Sequence, residues 1–137
     1  MLLFDKSNRA VSMLFALLAA IAPTFAHHSV SAEFDVNRQL SYAGVVTKVE
    51  WTNPHIYFYV DVTDASRKVT NWAFEGAGPN TLARLGWRHD TLRVGDHVRV
   101  VACPARDGAA VASARKVILE SGREVLAGPA EDKGGKP

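Results

Sequence analysis

The chain has 137 residues, with 16 Lys or Arg against 14 Asp or Glu and 47% apolar residues. That near balance argues against a nucleic-acid binder, which carries a marked basic surplus. Its single cysteine, Cys103, excludes an internal disulfide and any Cys-x-x-Cys redox or metal pair.

The first element in chain order is an export signal over residues 1–26. Lys6 and Arg9 lie in a short basic stretch, Ala10 to Ala22 form an apolar run, and Pro23-Thr24-Phe25-Ala26 closes it. The run is about 13 residues, short of the roughly 20 that cross a bilayer core. Small side chains at Thr24 and Ala26 place the cut before His27, so a periplasmic or secreted protein without a membrane span is expected. Cleavage leaves about 111 residues of net charge about +1, enough for one domain with one modest core.

Period-two alternation dominates the rest and predicts a mainly β protein. The first strand is expected over Leu40–Glu50, with a bend or bulge at Gly44. The second is expected over His55–Val62, with Ile56, Phe58, Val60 and Val62 inward and His55, Tyr57, Tyr59 and Asp61 outward. Asp64-Ala65-Ser66-Arg67 is a polar turn, and a third strand over Val69–Glu75 turns Trp72 and Phe74 to the core. Pro79 opens a short helix with Leu82 and Leu85 on its apolar side and Gly86 as its stop.

A turn over Thr91–Asp96 leads to a fourth strand, His97–Ala102. The loop Pro104–Gly108 precedes a fifth strand over Ala112–Leu119, and a short last strand covers Glu124–Leu126. Cys103, at the end of an apolar strand, reads as a buried, inert thiol. The tail 128–137 reads as disordered. Three strands, a helix and two strands is the element order of a small OB-like five-stranded barrel. Ligands meet such barrels on the outer face of strands two and three and on the loops after strands one and four. Those places hold Trp51–His55, Tyr57, Tyr59, Asn71, Glu75 and Pro104–Gly108.

Several strings share a pattern: His27-His28-Ser29 with Ala32-Glu33-Phe34-Asp35, then Val49-Glu50-Trp51-Thr52-Asn53-Pro54-His55, then Asn71-Trp72-Ala73-Phe74-Glu75. Gly86-Trp87, Gly95-Asp96, Asp107-Gly108 and Gly122-Arg123 continue it. Together they resemble an uncharacterised family of small exported bacterial proteins, a domain of unknown function. Val30 departs from the pattern, where an aromatic is expected. The resemblance implies export and a single small domain, and implies no activity.

The sharpest chemistry lies at the new amino terminus. A terminal His27 offers its amine and ring Nδ1 to one metal ion, and a second imidazole completes a three-nitrogen site suited to Cu(II). His55 is the expected partner, with His28 as the alternative. Trp51, Asn53, Tyr57 and Tyr59 are the expected ligand-binding residues at the barrel mouth. Trp72 and Trp87 read as packing residues, His89 and His97 as exposed, and Glu50 and Glu75 as acids facing each other on neighbouring strands, more often a solvated face than a catalytic pair. No nucleophile-plus-base pattern is present, so an enzyme is not expected. The expected function is an exported binding module for a small ligand, with copper as the candidate cofactor. The alternative is a metal-free subunit docking on an envelope protein.

Overall fold

The computed structural model describes residues 29–128. The predicted leader, His27, His28 and the tail from residue 129 lie outside the described residues. A four-residue helix, α1 (Val30–Glu33), precedes six strands: β1 (Leu40–Glu50), β2 (Tyr57–Thr63), β3 (Val69–Glu75), β4 (His97–Pro104), β5 (Val111–Leu119) and β6 (Glu124–Leu126). A second short helix, α2 (Pro79–Arg84), lies between β3 and β4.

The strand order is β3-β2-β1-β4-β5-β6, and an added β3–β5 pairing closes the first five into a barrel. All pairings are antiparallel except β3–β5, where Ala73, Phe74 and Glu75 run parallel to Val111, Ala112 and Ser113. This is the predicted OB-like barrel, with β6 hung on β5 as a short extra strand.

Alternation sorts each strand into an inner and an outer face. Phe58, Val60, Phe74, Val100 and Val117 are fully buried, and Phe58 stacks on Phe74 at 5.4 Å between ring centroids. Ala112 and Ala114 are equally buried and leave room for the facing aromatic rings. Tyr42 reaches Trp72 at 4.6 Å and Phe74 at 5.3 Å, so half-buried Trp72 seals the rim while Phe74 fills the centre.

Strand β1 is long because it serves two partners, pairing with β2 through its second half and with β4 through its first. Gly44 sits in the overlap, opposite both Val62 and Val98. A Cβ there would lie 2.1 Å from the Asp61 carbonyl oxygen, so only glycine admits this approach. The register shift falls three residues on, between Val46 and Lys48.

Several boundaries differ from expectation. β2 begins at Tyr57, leaving His55 in the preceding turn. β4 runs on through Cys103 to Pro104, where the proline carbonyl accepts from the Asp35 amide at 2.9 Å. Cys103 is fully buried as a free thiol. On α2 only Leu82 is buried; Leu85 follows the helix and is 39% exposed, because six residues give too few turns for a second inward position. Among the described residues no helix is long and apolar enough to cross a membrane.

Candidate functional site

The link from β1 to β2 sets the position of His55. Thr52 Oγ1 donates to the His55 carbonyl at 2.8 Å, across a turn holding a cis Asn53–Pro54 bond. Ile56 is fully buried; its amide donates to the Ala77 carbonyl at 3.2 Å, and its carbonyl accepts from Gly76 at 3.0 Å. Gly78 passes close beneath the turn, where a Cβ would lie 2.6 Å from the Pro54 oxygen. With Ile56 fixed inward, parity turns His55 and Tyr57 to the outer face.

That face carries a connected set of polar side chains. Glu50, Tyr57 and Glu75 form one cross-strand row over β1, β2 and β3. Tyr57 donates its hydroxyl to Glu75 Oε2 at 2.9 Å, and Glu75 Oε1 lies 2.5 Å from His55 Nδ1. In the next row Tyr59 donates to Glu50 Oε2 at 3.0 Å, Lys48 pairs with Glu50, and the Lys48 ammonium lies 5.3 Å from the Tyr59 ring centre. Asn71 Nδ2 then donates to Asp61 Oδ1 at 2.8 Å and to Thr47 Oγ1 at 3.0 Å.

Electrostatics follow from these contacts. Burial raises the Tyr57 phenol well above the usual tyrosine range, and the hydrogen bond to Glu75 and the Glu75, Glu33 and Tyr59 charges push it further. The bond to Glu50 raises Tyr59, while hydrogen bonds from Lys48 and Tyr59 hold the Glu50 carboxyl below the carboxylate range. The contact at Glu75 also sets the His55 tautomer. A carboxylate oxygen 2.5 Å from Nδ1 requires a proton between them, since two lone pairs would repel. Neutral His55 therefore presents an unprotonated Nε2, on a side chain 43% exposed, while Glu75 is only 13% exposed.

The structure thus brings His55, Tyr57 and Tyr59 onto one face. Asn53 is exposed in the adjoining turn, and His27 and His28 lie outside the described residues. Half-buried Trp51 meets the His89 ring at a tilt of 43° and 4.6 Å between centroids, and meets Trp87 edge-on at 6.4 Å. Trp87 in turn donates Nε1 to the Leu126 carbonyl at 2.7 Å, so it packs as expected. Glu50 and Glu75 do not face each other, because β2 lies between their strands and Tyr57 stands in the row between them.

The part played by Glu75 was not read from sequence. Asn71, Ala73 and Glu75 share the outer face of β3 by simple parity, but the pairing register that sets Glu75 against Tyr57 is a tertiary fact. Among the described residues, no three His, Cys, Asp or Glu side chains converge on a metal set. His55 and Glu75 form a pair that needs donors from elsewhere.

A family model described as "Family of unknown function (DUF6152)" matches residues 16–114. The chain belongs to this family. Comparison with curated proteins and with solved structures yields no match. The DUF6152 match takes in β1 to β4 and the start of β5, and so includes His55, Tyr57, Tyr59, Glu50 and Glu75.

Proposed function

We propose that this protein is an exported, non-enzymatic binding module that takes one Cu(II) ion at the outer face of its barrel, in the periplasm or after secretion. The ligands are the His27 amine and ring Nδ1, freed by cleavage before His27, together with His55 Nε2. His28 is the alternative second imidazole. The observation that carries this reading is the Glu75–His55 contact. Metal-binding histidines usually donate their other ring N–H to a carboxylate, which fixes the tautomer and raises ligand basicity.

Charge on the face points the same way. Glu50, Asp61 and Glu75 outnumber Lys48, which favours a cation and opposes the phosphates that many OB-like barrels bind. Three nitrogen donors suit Cu(II) better than the oxygen-seeking ions Ca(II) and Mg(II). Trp51, Asn53, Tyr57 and Tyr59 supply the surrounding rim, with Tyr57 fixing Glu75.

The test is a titration of the protein, its His27 terminus confirmed by mass, with Cu(II) against a competing chelator. One-to-one binding is expected. His55→Ala should weaken it at least tenfold, and a glycine placed before His27 should weaken it further by disrupting the terminal chelate. Absence of one-to-one binding, or equal affinity in both variants and the parent, contradicts the proposal. It would favour a metal-free module that docks this face on an envelope protein.

A further inference from the structure

Where β1 passes from one partner strand to the other, the outer surface of the barrel opens into a trough. The Ala43–Val45 stretch of β1 forms its floor, Asp61 of β2 stands on one wall, His97 and Arg99 of β4 stand on the other, and Glu120 closes the end. The register builds this arrangement. Val45 pairs with Asp61 on one side and with His97 on the other, and Ala43 pairs with Arg99. Paired residues share a face. Val46, Val98 and Val100 are buried, so the residues alternating with them project outward. Neighbouring strands lie about 4.8 Å apart, which sets the two walls about 10 Å apart across β1. Alanine and glycine on the floor add little bulk between them. The trough holds about 490 Å³, within the range of small-molecule sites, about 300–1,000 Å³.

The charges around the trough do not neutralise one another. Among the described residues, the exposed Arg99 and Glu120 side chains make no hydrogen bond or ion pair. Asp61 is half-buried and accepts from Asn71 Nδ2 through Oδ1 at 2.8 Å, which holds the carboxylate and leaves Oδ2 without a described partner. Two carboxylates against one guanidinium oppose a simple anion such as phosphate. A cation lacking a carboxylate would leave Arg99 unanswered. A ligand that carries one carboxylate and two ammonium groups matches all three charges.

We propose that this trough binds a free amino acid with a cationic side chain, its carboxylate on Arg99 and its two ammonium groups on Asp61 and Glu120. The planar guanidinium fork matches a carboxylate through two parallel hydrogen bonds. An ammonium is a compact charge with three donors, suited to a carboxylate on either side of the trough. The aliphatic stem of the ligand lies over the low floor between the walls. The site is distinct from the copper site and does not rest on that reading. Exposed ion pairs each contribute little, so the dissociation constant is on the order of 1 mM.

The experiment titrates the metal-free protein with L-lysine and follows its backbone amide resonances. Saturable one-to-one shifts are expected at Gly44, Val45, His97 and Arg99. Arg99→Gln should weaken binding at least fivefold, and so should Asp61→Asn, which keeps an oxygen for Asn71. Ala43→Leu raises the floor without touching a charge and should weaken binding as much. The spread of amide resonances reports whether each variant is folded. Acetate and methylamine, each carrying one kind of charge, should bind at least fivefold more weakly than L-lysine. Absence of saturable shifts at these amides overturns the proposal, as does unchanged affinity in any of the three variants. Acetate binding as tightly as L-lysine also overturns it, because the trough would then be a simple anion site.

Discussion

Glu75 carries one oxygen to His55 Nδ1 and the other to the Tyr57 hydroxyl, and it is the more buried partner of its pair with His55. That double use locks the carboxylate in place, with one partner on each oxygen. Tyr57 supplies a direct check. Its phenol stays protonated past the usual range of about 10, with burial the larger cause and Glu75 the second. Ultraviolet titration, with Tyr57→Phe used to assign the signal, should show Tyr57 ionising later than an ordinary tyrosine. Glu75→Gln should move it down only part of the way, because burial remains. The same sign governs stability: the raised folded-state value stabilises the protein below the unfolded value near pH 10, and that contribution is lost as pH rises through the folded value. A Tyr57 that ionises at or below pH 10 contradicts the assigned hydrogen bond.

Among the elements, β1 decides whether the barrel closes, since it alone pairs with both β2 and β4. Gly44→Ala sets a Cβ against the Asp61 carbonyl oxygen, a backbone atom that a side-chain rotation cannot move aside. The expected loss is about 1–3 kcal/mol, read as a lower urea midpoint with unchanged slope. An effect within about 0.5 kcal/mol, the range of neutral surface changes, contradicts the close approach. Legibility also varies by element. β2 is plain because Ile56, Phe58 and Val60 alternate with His55, Tyr57 and Tyr59, yet the alternation puts its start two residues before Tyr57. Pro54 and the Thr52–His55 turn hold His55 off the ladder while keeping its outward parity. α1 was not legible at all: four residues cannot show a helical period, and what orders them is a loop some 70 residues away.

For the whole molecule, element order alone pointed to the barrel, because three strands, a helix and two strands leave few un-knotted closures. The closing β3–β5 pair was beyond pattern reading, since parallel partners share no turn that marks them. The site divides in the same way. His55, Tyr57 and Tyr59 are legible from their shared parity, whereas Glu75 matters through contacts set by the β2–β3 register. The central claim is that one copper ion is held by the chain terminus and His55 together. Electron paramagnetic resonance of the one-to-one Cu(II) protein tests it most directly, through the nitrogen hyperfine pattern. The account predicts three coordinating nitrogens in the parent and a changed spectrum with one fewer in His55→Ala. A spectrum identical in the two proteins would place the ion away from this barrel face and contradict the account.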